Sequence, residues 1–194
     1  MKKIPSLFLR HYEGGKRGLV YDEVTPGAEW VAKGEGIATR KWDGTACLYR
    51  DGRLRKRYDA KAGKTPPAGF EPAQPEPDPV TKHWPGWVPV SDGAEDRWHV
   101  EALSRGLDYR RLPFREGQTY ELVGPKVNGN HDDFAEHWLI PHGSGCLELV
   151  PRDFDGLRAW LAGQEFEGIV WHHPDGRMVK IKRRDFGLPW PISR

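Results

Sequence analysis

The chain has 194 residues, of which 37 % are hydrophobic and 30 % charged, with a formal net charge of +2; that is one ordinary domain, or a domain with an extension, with core enough to need no staples, and its nine tryptophans argue against general disorder. Cys47 and Cys146 stand far apart with no Cys-x-x-Cys spacing, so neither a disulfide framework nor a zinc ribbon is indicated, and a reducing, cytoplasmic compartment fits best. The apolar run after Met1-Lys2-Lys3 is broken by Pro5 and Ser6 and ends at Arg10, too short for a signal segment or a membrane span, while so small a net charge leaves any nucleic-acid signal to local clusters.

In chain order, Trp30 to Thr39 leads into Lys41-Trp42-Asp43-Gly44-Thr45. Thr45 to Arg50 reads as a strand, Asp51-Gly52 as a turn and Arg53 to Tyr58 as the returning strand, a hairpin with Lys41 at its entrance. That return is basic: Arg53, Arg55, Lys56, Arg57 and, past its end, Lys61. Eight of the 17 prolines fall within 65–90, a density that predicts a loop with neither helix nor central strand. It is either a linker or, because Phe70, Trp84 and Trp87 are costly to leave in water, a segment packed on the domain or closing over a ligand.

Beyond the loop, Ala94 to Ser104 is expected to be helical, with Trp98 and Leu103 as core contacts and Gly106 as its stop. Gln118 to Val123 reads as a strand ending at Gly124-Pro125, with Tyr120 and Leu122 on one face and Glu121 and Val123 on the other. Asp153 can cap a helix from about Phe154 to Ala162 that Gly163 terminates and that buries Leu157, Trp160 and Leu161. A second hairpin runs from Gly168 to His172, turns around Pro174-Asp175-Gly176 and returns from Arg177 to Lys182. Period two sends Val179 and Ile181 to the core and leaves Lys180 and Lys182 together on the opposite face. On a purely structural strand those lysines are solvated; in a cleft they form an anion clamp.

A lysine two residues ahead of Asp-Gly is the arrangement in which an amine attacks the α-phosphate of a nucleotide. Asp-Gly is foremost a turn signal, used that way at Asp51-Gly52 and Asp175-Gly176, so Lys41 needs company. An ordinary lysine titrates near 10.4, and exposing its lone pair at pH 7 costs about 4.6 kcal/mol. Nearby cations, desolvation or a metal lower that cost. Lys180 and Lys182 can supply the cations and stabilise charge developing on the α-phosphate. Glu121 and Glu167 are either solvated strand-end carboxylates or holders of a ribose hydroxyl and a divalent metal.

Taken in order, Lys41-Trp42-Asp43-Gly44, Tyr120-Glu121-Leu122-Val123-Gly124-Pro125, Glu167-Gly168-Ile169-Val170 and Lys180-Ile181-Lys182 resemble nucleotidyltransferase motifs I, III, IV and V of the covalent ligase and capping-enzyme superfamily. The wording at 120–126 and 180–186 resembles RNA ligases more than DNA ligases. It is most similar to the small ATP-dependent group related to the T4 RNA ligase 1 type, with vertebrate and bacterial members, which also carries the segment standing here at 83–89. Ala46 replaces the arginine that DNA ligases carry two residues after the motif I glycine, which disfavours that reading.

The resemblance implies an α+β adenylyltransferase fold over 1–194, with antiparallel sheets flanking an ATP cleft, a Pro-rich loop at about 65–90 and, since twelve residues follow Lys182, no appended OB-fold. It implies that Lys41 forms a lysyl-AMP with ATP and Mg²⁺ or Mn²⁺ and passes the AMP to an RNA 5′-phosphate, which a 3′-hydroxyl then attacks. Glu121 would contact the ribose, Glu167 the metal or nucleotide, and Lys180 and Lys182 the α-phosphate. Thr39, Arg40, Asp43, Gly44 and Arg57, the last placed like the family's motif Ia, would complete the nucleotide site. Arg53, Arg55, Lys56, Lys61, Arg183 and Arg184 are the expected RNA backbone track, or else solvated surface. Trp138 is the aromatic weighed as an adenine platform against ordinary core. His131, His137, His142, His172 and His173 with Cys146 show no zinc-ligand spacing and read as structural or RNA-contacting. A GTP-using capping guanylyltransferase and a non-catalytic nucleotide- or RNA-binding module are the alternatives.

Overall fold

The computed structural model describes residues 1–13, 16–79 and 81–192; Val80, inside the Pro-rich segment, lies outside them. Eleven strands and three helices are described: β1 (Phe8–Glu13), β2 (Lys16–Val24), α1 (Glu29–Ala32), β3 (Ile37–Lys41), β4 (Thr45–Arg50), β5 (Arg53–Ala60), β6 (Glu71–Pro72), β7 (Trp84–Pro89), α2 (Arg97–Ser104), β8 (Thr119–Val123), β9 (Trp138–Pro141), α3 (Phe154–Ala162), β10 (Gly168–His172) and β11 (Met178–Lys182). Short 3-10 turns span Ala94–Asp96 and Arg183–Phe186. The strands form antiparallel sheets in the orders β1-β2, β11-β10-β3 and β6-β7-β5-β4-β8-β9, an α+β architecture. None of the helices among the described residues is long and apolar enough to cross a membrane.

The chain forms two compact units, one of residues 1–3 and 43–142, the other of 4–42 and 143–194. In the first, the Asp51-Gly52 turn has positive φ at both residues (54° and 68°), which matches the right-handed twist of β4 and β5. Cys47, Leu54, Ala102, Tyr120, Leu122 and Leu139 form its core, with Trp98 and Leu103 of α2 packed against them. In the second, Asp153 accepts a hydrogen bond from Gly156 N–H at 2.8 Å and caps α3. Leu157 and Leu161 of that helix are fully buried with Ile169, Trp171, Val179 and Ile181, and Phe8, Phe154 and Phe186 meet edge to face.

The Pro-rich segment corrects one expectation: it contributes β7 between β5 and the two-residue edge strand β6. The reason is phase. Val90 N–H donates to Leu54 O on β5, whereas Pro85 O accepts from Ala73 N–H beyond β6. Residues 85, 87 and 89 therefore point their backbone groups at the edge and 84, 86 and 88 at β5. Pro85 and Pro89 lack donors only where little needs one, and the ladder to β5 stays whole. Trp87 is buried, and Phe70 packs edge to face on Tyr58 and Trp84.

Candidate functional site

Register builds the lysine cluster. In the β11-β10-β3 sheet, Gly168 pairs with Lys41 on one side and Lys182 on the other, and Val170 pairs with Thr39 and Lys180. Paired residues share a face, so Lys41, Lys180 and Lys182 stand on the face opposite Ile169, Trp171, Val179 and Ile181, which enter the core. Gly168 separates the two outer lysines and must be glycine: a Cβ there would lie 2.2 Å from Ile181 O and 2.8 Å from Lys182 Cα. The missing side chain leaves room for Glu167, whose two carboxylate oxygens accept hydrogen bonds from Lys41 Nζ and Lys182 Nζ. Thr39 is buried, its hydroxyl placed between Val170 O (3.1 Å) and His172 Nε2 (3.1 Å), while Arg40 stacks over Trp42 at 4.1 Å.

Burial works to raise Glu167, but Lys41 and Lys182 outweigh it and hold the carboxyl below its ordinary range. Two ammonium groups on one carboxylate leave an excess positive charge, which suits the site to an anion. Beyond β11, Asp185 accepts from Lys182 N–H at 2.9 Å and pairs with Arg10 at 2.6 Å, both carboxylate and guanidinium being buried; sequence reasoning gave neither residue a role in the site. Arg183 departs from the RNA track expected of it. It is 3 % exposed, and its guanidinium donates to the carbonyls of Leu161, Gln164 and Pro189, so it ties the turn to α3. Arg184 is exposed, with Nε donating to Trp190 O at 2.8 Å.

In the other unit the Asp43-Gly44 pair is gripped by a loop that sequence reasoning missed: Asp43 N–H donates to Asp132 at 3.0 Å and Asn128 Nδ2 to Gly44 O at 2.6 Å. Gly44 N–H donates to Glu121 Oε1 at 3.2 Å, and His142 Nε2 meets Glu121 Oε2 at 2.8 Å. A Cβ on Gly44 would come within 2.1 Å of Leu122 O. The β8–β9 register puts His142 diagonal to Glu121 on one face; that pairing is non-local, so no short-range signal reveals the partnership. Trp138 is core, 7 % exposed, with Arg105 and Arg111 over its ring and Tyr109 against it, which leaves no open face for adenine.

The basic strand is largely compensated inside its own unit. Lys56 bonds Asp96, a carboxylate 1 % exposed; Arg55 pairs with Glu71; Arg57 donates to Met1 O at 2.6 Å and to Asp59 at 3.1 Å. Arg53 and Lys61 are exposed. No group of three or more His, Cys, Asp or Glu side chains that could hold a metal ion occurs among the described residues. Glu167, whose two oxygens are held by Lys41 and Lys182, could take up a cation only together with the phosphate oxygens of a bound nucleotide, the usual mode for Mg²⁺.

Residues 107–194, which include Glu121, Glu167, Lys180 and Lys182, match the family model described as RNA ligase 1. Proteins named RNA ligase 1 from Rattus norvegicus (32 % identical over 147 residues, 61 % of this chain and 45 % of the relative), Pongo abelii (34 % over 146, 61 % and 45 %) and Danio rerio (33 % over 151, 63 % and 46 %) are similar to it. The chain spans less than half the length of these curated relatives. The resemblance to RNA ligases carried by the motifs is borne out by these matches.

Proposed function

We propose that this chain carries the adenylyltransferase of an ATP-dependent RNA ligase that joins 5′-phosphate and 3′-hydroxyl RNA ends. The observation that carries the reading is the pairing of Lys41 and Lys182 across a side-chain-free Gly168, bridged by Glu167. The relatives' name, RNA ligase 1, supports it.

Lys41 Nζ is the nucleophile. Its bond to the α-phosphorus of ATP forms as pyrophosphate leaves, giving a phosphoramidate and releasing the lysine's proton. The excess positive charge of the cluster favours this in two ways: Lys182 makes a neutral Lys41 less costly, and both Lys180 and Lys182 stabilise charge on the α-phosphate. Glu167 would hold the divalent cation that accompanies the triphosphate, and that cation would neutralise the departing pyrophosphate. An oxygen of an RNA 5′-phosphate then takes the AMP from Lys41, and a 3′-hydroxyl displaces AMP to form the phosphodiester. Glu121 serves the ribose; Arg53, Lys61 and Arg184 are the cations best exposed for the RNA backbone.

Incubating the protein with α-labelled ATP or GTP and Mg²⁺ or Mn²⁺ tests this. Covalent label from ATP, lost in Lys41→Ala, is expected. Label from GTP alone points to a capping-type enzyme, and no label from either nucleotide sinks the enzyme reading.

A further inference from the structure

We infer that His142 is a positioning residue that sets the nucleotide affinity of the site by fixing the carboxylate of Glu121; the inference rests on the reading of Glu121 as a ribose contact. The carboxylate is an acceptor, so His142 Nε2 carries the proton of their 2.8 Å hydrogen bond. His142 Nδ1 is buried and has no hydrogen-bond partner among the described residues. The ring thus spends its one hydrogen bond on Glu121 and bears the cost of an unsatisfied buried nitrogen to do so. Its backbone is pinned for the task, with N–H donating to Thr119 O at 3.0 Å and O accepting from Gln118 Nε2 at 3.4 Å.

The opposite side of Glu121 explains why a second strand must do this. Ala46 pairs directly with Glu121 in the β4–β8 ladder and offers only a methyl group. Among the described residues the remaining hydrogen bond is Gly44 N–H on Oε1, a backbone donor that fixes one oxygen and leaves rotation about the carboxylate axis to be stopped by the other. Two of the four lone-pair directions of the carboxylate are used by Gly44 and His142, so two remain for hydroxyl donors, and His142 determines where they aim. A ribose presents two such hydroxyls.

The test is equilibrium binding by calorimetry of ATP, 2′-deoxy-ATP and 3′-deoxy-ATP to the full chain carrying Lys41→Ala, which keeps binding separate from covalent transfer. His142→Ala is expected to raise the Kd for ATP about tenfold, with a smaller penalty for whichever deoxy analogue lacks the hydroxyl held by Glu121. His142→Gln, which restores an N–H donor, recovers most of the affinity. An equal rise for all three nucleotides in a folded variant, no change in any Kd, or no binding to begin with overturns the inference. Should His142→Ala not fold, a cycle of His142→Leu, which fills the space without a donor, with Glu121→Gln decides: coupled losses support the assignment and additive ones overturn it. Absence of covalent label in the wild-type chain refutes the ligase reading separately, because these affinities do not depend on it.

Discussion

Replacing Glu167 by glutamine separates the charge of the cluster from its shape. Each hydrogen bond to a charged group contributes about 1.5–3 kcal/mol, and Glu167 accepts two. The lysine side chains are 20 % and 26 % exposed against 7 % for the glutamate, so solvent recovers part of the loss, and the amide oxygen of glutamine keeps one acceptor. A net destabilisation of about 3 kcal/mol follows, or roughly 6–12 °C in Tm for a chain of this size. Thermal denaturation at pH 7 reads it. Glu167 titrates below its ordinary value in the fold, so its stabilisation is fully present above the unfolded value near 4.3 and disappears as pH falls through the lower folded value. The gap between wild type and Glu167→Gln should therefore close below about pH 4. Adding Lys182→Met to Glu167→Gln should restore about 1–2 kcal/mol by removing the uncompensated neighbour of Lys41. A Tm change under about 1 °C for Glu167→Gln, or a gap that is flat with pH, refutes the shared-carboxylate account.

Gly168→Ala should destabilise by more than about 2 kcal/mol, since its Cβ would meet the backbone carbonyl of Ile181 at 2.2 Å; urea denaturation checks it. Arg183→Gln should cost about 2–4 kcal/mol of stability, by the same measurement, because three backbone carbonyls lose the guanidinium donor, while the salt dependence of the proposed RNA binding stays unchanged. Asp96→Asn should cost about 2–3 kcal/mol at pH 7. Burial works to raise Asp96, and hydrogen bonds from Lys56 and Ser91 overcome it and hold the carboxyl low. The loss should therefore fade as pH falls below the unfolded value near 3.9, followed by circular dichroism.

Local signals were the legible ones. The helix of 154–162 carries its cap at Asp153, its apolar stripe and its glycine stop within a dozen residues, and the structure starts and ends it there. The β10–β11 hairpin likewise follows from a turn and a two-residue period. What stayed hidden is pairing across distance. Thr39 meets Val170 across 131 positions, and only that register sets Lys41 beside Gly168 and Glu167. Arg183 and Arg184 look alike in sequence, yet one step around a 3-10 turn buries the first and exposes the second. Lys56 read as a free cation because Asp96 lies forty positions away.

The prolines of β7 bear on association as well as on folding. A sheet edge with a full row of donors is a template for another chain. Here the side of β7 that faces outward lacks N–H groups at Pro85 and Pro89, and β6 covers it for only two residues, one of which is Pro72. A stray strand arriving at this margin finds too few donors to continue the ladder, so the six-stranded sheet ends itself on that flank and guards the chain against edge-to-edge aggregation.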